Sequence, residues 1–107
     1  EKVTLKKLKL DSVVISLGGG AFTNKSIRKE VLKSSVSFWL NWNTTVLLKR
    51  IRYSKKRPLA FNATDDQLVD LIKKRNNIYS KALYEIKCDN LSKKQVIDKV
   101  LKIYETH

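Results

Sequence analysis

The feature that most constrains this chain is a short apolar run that stops at three consecutive glycines. The run extends from Val13 to Leu17 and is followed directly by Gly18, Gly19 and Gly20. Aliphatic and β-branched residues over this length predict a buried strand, and glycine lets the next turn bring its backbone close to a ligand. A tight turn without a ligand is the alternative interpretation, although three glycines exceed what a turn requires.

The same glycines exclude one common phosphate-binding motif. A Walker A loop needs two glycines separated by four other residues, and then Lys followed by Ser or Thr. The chain has three glycines in all, and they are adjacent, so it cannot contain this loop.

The charge of the chain narrows its possible partners. Its formal net charge is +13 at pH 7, and such a charge attracts nucleic acid or a metabolite with several phosphates. Lys and Arg are spread along every predicted element, however, so a solvated surface is the simpler explanation. No apolar stretch approaches the roughly 18 residues that span a membrane, and we expect no membrane partner.

The single cysteine and the single histidine limit the chemistry available. Cys88 and His107 are the only residues of their kinds, so an internal disulfide framework is excluded. This cysteine usage agrees with a reducing, cytoplasmic location. No catalytic triad or pair of acids is indicated, and we predict no metal ligands in this chain.

Hydrophobic periodicity switches repeatedly between helical and strand spacing. Two capping boxes, Thr64 to Gln67 and Ser92 to Gln95, mark where two helices begin. The pattern predicts an α/β fold with a mainly parallel sheet flanked by helices. The predicted helices lie over 1–10 and 24–32 and begin after Asn43, Thr64 and Ser92, and the predicted strands lie over 13–17, 36–42 and 84–88.

Arg75 is the sharpest candidate for a binding residue. It lies seven positions after Leu68, four after Leu71 and four before Tyr79, so it shares the apolar face of its predicted helix. A guanidinium is costly to bury without an anion, and its planar fork suits a carboxylate. Two alternatives stay open. The aliphatic part of the Arg75 side chain can cover the core while its guanidinium reaches water, or the guanidinium can form a structural ion pair with a buried acid.

A basic loop around Arg57 separates two predicted helices at about 53–63. Pro58 fixes its own φ angle and holds Arg57 in extended geometry. Such a loop can close over phosphates and exclude water during group transfer. A charge run that is simply solvated is the alternative.

Taken in order, these segments resemble the shikimate kinases. The matching segments are Val14 to Ala21 with its Gly-Gly-Gly-Ala end, Arg57-Pro58-Leu59, and Arg75 to Ala82. The resemblance covers essentially the whole chain and implies a P-loop kinase fold like that of the nucleoside monophosphate kinases. It implies that residues 1–107 are the C-terminal part of a single domain, lacking the N-terminal P-loop portion and carrying a lid loop at about 53–63.

The resemblance also implies roles for individual residues. Gly18 to Gly20 would line the shikimate pocket, and Arg75 would pair with the shikimate carboxylate. Arg57 would be the catalytic residue, reaching from the lid to ATP and the transferring phosphoryl group. Arg50 would lie against the adenine, which the loop at 89–90 would border.

The implied activity is ATP-dependent phosphorylation of the 3-hydroxyl of shikimate, a step of chorismate and aromatic amino acid biosynthesis. ATP and Mg²⁺ are the implied cofactors, with the metal bound by residues that precede the matched part. The implied protein is a cytoplasmic monomer that binds shikimate and ATP but no nucleic acid. We expect the 107 residues alone to be inactive without a Walker A loop. The alternatives are an inactive truncated chain, a basic nucleic-acid-binding module and a different P-loop metabolite kinase.

Overall fold

A computed structural model describes residues 14–17, 20–53 and 63–107. The predictions made for 1–13, for Gly18 and Gly19, and for 54–62 therefore lie outside the described residues. The elements, in chain order, are a 3-10 turn at Ala21–Thr23, α1 at Lys25–Ser34, β1 at Phe38–Asn41, α2 at Thr44–Tyr53, α3 at Asp65–Tyr79, β2 at Tyr84–Lys87 and α4 at Lys93–Thr106.

The helices begin where the sequence places capping side chains. The Asn43 side chain accepts a hydrogen bond from the backbone N–H of Val46 at 2.9 Å, at the start of α2. Thr64 and Ser92 each form a complete capping box, at the starts of α3 and α4. These bonds satisfy N–H groups that a helix N-terminus leaves without partners, so the predicted starts of the three helices are confirmed.

The sheet formed by the described residues consists of two parallel strands, β1 and β2. The four residues of β1 pair in order with the four residues of β2, from Phe38 with Tyr84 to Asn41 with Lys87. The backbone N–H of Cys88 continues the ladder by donating to the Asn41 carbonyl at 2.8 Å. A parallel pair requires a long crossover connection, which α2 and α3 supply.

Helices cover both faces of this sheet. On one face a buried cluster joins the sheet to α4. It consists of Ile86 in β2, Cys88 just after β2 and Val96 in α4, and Phe38 and Trp42 pack against it. On the opposite face the Trp39 ring lies 6.4 Å from that of Tyr79 in α3, measured between centroids. Side chains alternate between the faces of a strand, so Phe38 and Trp39 point to opposite layers. The predicted parallel sheet flanked by helices is confirmed.

The strand predicted over 13–17 is wrong for the residues described, because 14–17 have no regular secondary structure. Val14 is fully exposed, whereas Ile15 and Leu17 pack against the cluster of Phe22, Ile27 and Val31. The apolar run is thus covered on one side only. A strand needs a neighbour that completes its hydrogen bonds, and the described sheet pairs β1 and β2 only with each other.

The buried face of α3 is narrower than the sequence pattern predicts. Leu68 and Ile72 are buried as expected, but Leu71 is exposed. Ile78 lies seven residues after Leu71, on the same side of α3, and is half-buried, so this side of the helix is covered only near its end. At 15 residues α3 is too short to cross a bilayer, and no helix in the described ranges combines the length and apolarity for such a span.

Candidate active site

Arg75 lies in the second half of α3 and is half-buried, as the sequence pattern predicts. It follows the buried Ile72 and precedes Ile78 and Tyr79, which pack against the cluster of Phe22, Ile27 and Val31. Within the part of the chain that the structure describes, the salt bridge is between Arg52 and Asp65, and Arg75 has no acidic partner. The described acids therefore do not support the structural ion-pair alternative.

The turn that follows Gly20 packs against the same helix. The Phe22 ring lies 6.3 Å from the Tyr79 ring, measured between centroids, and both belong to one core cluster. Tyr79 is one helical turn after Arg75 on the same face of α3. The structure thus brings the end of the glycine run and the helix of Arg75 together.

Gly20 does not need glycine's conformational freedom. Its φ angle is −98°, which any residue can adopt. Gly20 lies in an ordinary right-handed turn, so glycine is not required here by backbone conformation. The space around it is nevertheless open, since an added Cβ would meet no heavy atom within 4 Å. Open space at this turn is what a ligand pocket needs.

Arg50 is exposed in the last turn of α2 and lies over an aromatic ring. Its Cζ is 4.7 Å from the centroid of the Trp42 ring, a cation–π distance. Trp42 comes directly after β1 and is half-buried against Ile86, Cys88 and Val96. The cation of Arg50 is therefore placed beside the carboxyl end of a parallel strand.

The loop after β2 lies next to this pair. Asp89 Oδ1 accepts a hydrogen bond from the Asn43 backbone N–H at 3.0 Å, so the two loops that leave the strands are tied together. Asn90 has a φ of 64°, a left-handed conformation that asparagine tolerates. Ligands of open α/β sheets bind outside the carboxyl ends of the strands, which is where these loops lie.

Sequence reasoning missed three contributors to this region, Trp42, Arg52 and Asp65. Arg52 donates to Asp65 Oδ1 and to the carbonyl of Ala63, so α2 is joined to the start of α3. The available signal was the position of Arg52 and Asp65 on either side of the basic loop. Arg57, the candidate within that loop, lies outside the described residues, as do Gly18 and Gly19.

Cys88 is buried, and burial raises the pKa of its thiol above the ordinary value of 9.0. The backbone hydrogen bond from Asn41 and the nearby charges of Lys99 and Arg50 act in the opposite direction but do not reverse the shift. A thiol with a raised pKa is a poor nucleophile at neutral pH. Cys88 is therefore a packing residue of the cluster that contains Ile86 and Val96.

No group of three or more His, Cys, Asp or Glu side chains converges to hold a metal in the described ranges. The described acids that do make contacts bind protein groups, such as Arg52 for Asp65 and the Asn43 backbone for Asp89.

A parallel sheet with helices on both faces, and with Arg50 and the paired loops at its carboxyl end, is an α/β arrangement of the P-loop kinase type. A solved structure supports this class. The crystal structure of shikimate kinase from Bacteroides thetaiotaomicron superposes with a TM-score of 0.75 at 29% identity, covering 98% of this chain and 63% of that one.

Sequence comparisons give the family. The protein-family model that is described as shikimate kinase matches residues 1–105 of this chain. Shikimate kinase from Bartonella quintana (strain Toulouse) is 31% identical over 108 residues, which is all of this chain and 51% of the relative. Shikimate kinase from Rhizobium leguminosarum bv. trifolii (strain WSM2304) is 33% identical over 102 residues, or 94% of this chain and 52% of the relative.

The chain belongs to the shikimate kinase family. It spans about half the length of the curated relatives that it matches.

Proposed function

We propose that these 107 residues are the C-terminal part of a single shikimate kinase domain, with a lid loop at about 53–63. The enzyme would transfer the γ-phosphoryl group of ATP to the 3-hydroxyl of shikimate. The observation that carries this proposal is the half-buried Arg75, which lies on the face of α3 that packs against the turn after Gly20. Membership of the shikimate kinase family supplies the substrate.

Arg75 is the proposed anchor for the shikimate carboxylate. A half-buried guanidinium is stabilised by a bidentate anion, and such a pair is stronger than a hydrogen bond between neutral groups. It also fixes the orientation of the planar carboxylate, which directs the ring hydroxyls toward ATP. Gly18, Gly19 and Gly20 would leave room for the ring, in keeping with the open space around Gly20.

Arg57 is the proposed catalytic residue of the lid. In the transfer, the shikimate oxygen forms a bond to the γ-phosphorus while the bond to the β–γ bridging oxygen breaks. The hydroxyl proton is lost and ADP leaves. Charge on the equatorial oxygens of the phosphoryl group is offset by a nearby cation, and this is the main contribution a protein makes to such reactions.

Arg50 is the proposed contact for adenine on the ATP side. Mg²⁺ would neutralise phosphate charge when bound, and we assign its ligands to the P-loop portion of the family's domain. We also propose that the protein is a cytoplasmic monomer and that it binds neither nucleic acid nor membranes.

The test is a chimera in which this chain replaces the matching part of the Bartonella quintana relative. The chimera keeps that relative's remaining half, and product is followed by ³¹P NMR with ATP and shikimate. We expect a shikimate phosphate ester and ADP in equal amounts. A folded chimera that forms no ester from shikimate would overturn the proposal, provided that the parent enzyme is active in the same assay.

A further inference from the structure

Trp42 and Arg50 form a cation–π pair whose two members differ in burial. Trp42 is half-buried and packs against the cluster of Ile86, Cys88 and Val96. Arg50 is exposed and lies with Cζ 4.7 Å from the Trp42 ring centroid. One partner is thus anchored in the core and the other is presented to solvent.

The stack limits the freedom of a long side chain. An exposed arginine samples many rotamers, and ordering it costs free energy when a ligand binds. Contact with an indole face holds the planar guanidinium in place beforehand, because the ring quadrupole attracts the cation. Within the described residues Arg50 makes no hydrogen bond or ion pair that would compete with this placement.

The position of the pair indicates what its exposed side meets. Trp42 directly follows β1, and Asn43 comes next. The Asn43 backbone N–H donates a hydrogen bond to Asp89, which lies in the loop after β2. The carboxyl ends of parallel strands are where α/β folds bind nucleotides. Planar bases stack on aromatic rings and on guanidinium planes.

We propose that Trp42 is a positioning residue that holds the Arg50 guanidinium as a stacking platform for the base of a nucleotide. The base lies on the side of the guanidinium away from the indole. This inference rests on the proposed function, which puts Arg50 against adenine, and adds Trp42 as the residue that positions it.

The experiment is an NMR titration of the chimera described above with AMP, and with tripolyphosphate as a probe that lacks a base. In the free protein the Arg50 Nε–H resonance is expected upfield because of the indole ring current. AMP should shift the Arg50 Nε–H and the Trp42 indole N–H with one common Kd. Tripolyphosphate should leave the indole resonance in place.

Variants separate positioning from simple packing. Trp42→Leu should weaken AMP binding about tenfold and remove the upfield shift of Arg50. Trp42→Phe, which keeps an aromatic face, should restore most of both. Arg50→Ala should weaken AMP at least as much as Trp42→Leu, whereas Lys49→Ala, which removes the same charge from the adjacent residue, should have little effect.

Two results would overturn the inference. If Trp42→Leu folds and binds AMP as tightly as the unsubstituted chimera while Arg50→Ala does not, Trp42 has no positioning role and the proposed function survives. If AMP binds the unsubstituted chimera without moving the Trp42 indole resonance, the platform is absent whether or not any variant folds. The proposed function fails separately, by loss of shikimate phosphorylation in the chimera.

Discussion

Arg52 near the end of α2 is joined to Asp65, the first residue of α3, across the loop that contains Arg57. Its Nε donates to Asp65 Oδ1 at 3.0 Å, and a terminal guanidinium nitrogen lies 2.8 Å from the same oxygen. The guanidinium also donates to the Ala63 carbonyl. The two ends of the proposed lid are therefore fixed to each other.

We expect Asp65→Asn to lower the free energy of unfolding by about 0.5–1 kcal/mol more than Asp66→Asn. Both changes remove an acid from the first turn of α3, where it favours the helix dipole, but only Asp65 contacts Arg52. Asp65 is largely exposed, so the difference should shrink as salt is added. Urea unfolding at low and high salt measures it, and equal losses for the two variants would contradict the contact.

Arg57→Ala in the chimera should lower kcat by at least about a hundredfold while changing the KM values little. A lid cation that meets the phosphoryl group in the transition state contributes to the rate more than to ground-state binding. Lys56→Ala is the matched control, because it removes a positive charge from the adjacent residue. Steady-state kinetics with ATP and shikimate decide the matter, and an unchanged kcat would remove Arg57 from catalysis.

Cys88 gives a prediction for the dependence of stability on pH. Because burial raises the pKa of its thiol above 9.0, the folded state keeps a proton that the unfolded chain loses. The contribution to stability is constant below about pH 9 and decreases as the pH rises through 9.0 toward the folded-state pKa. Urea unfolding at pH 8 and pH 10 should therefore show a loss of stability at the higher pH.

The control for this effect is Cys88→Ala, which lacks the thiol but retains the other titrating groups. We expect its loss of stability between pH 8 and pH 10 to be smaller than that of the original chain. In addition, the thiol should react slowly with a disulfide reagent until urea unfolds the protein, because Cys88 is 1% exposed. Equal pH dependence in both proteins would show that burial does not shift this group.

The sequence predicted the elements whose signals are local. Thr64 and Ser92 form capping boxes because the partner glutamine lies three residues away in each case, and the pattern is visible in one short segment. The alternation through Tyr84, Ile86 and Cys88 likewise gives β2, although regular strand structure ends at Lys87. Arg75 falls on the inward face of α3 because seven residues make nearly two helical turns.

The features that the sequence did not predict depend on distant parts of the chain. Whether Val14 to Leu17 forms a strand depends on a hydrogen-bonding neighbour, which apolar composition alone cannot supply. The Arg50–Trp42 stack depends on the angle at which α2 leaves β1, and the Arg52–Asp65 contact on how a loop closes. No short sequence motif specifies the angle between β1 and α2, or how the loop between Arg52 and Asp65 brings its two ends together.

The central claim is that this chain carries the acceptor site of a shikimate kinase, with Arg75 as its anion-binding residue. The most direct measurement is the shikimate KM of the chimera with Arg75→Ala, compared with Arg75→Lys and with the exposed neighbour Lys74→Ala. We expect a KM about 30- to 1000-fold higher for Arg75→Ala, the equivalent of about 2–4 kcal/mol, and a smaller increase for Arg75→Lys. The ATP KM and the Lys74→Ala variant should stay near the reference values. An unchanged shikimate KM in Arg75→Ala would contradict the account.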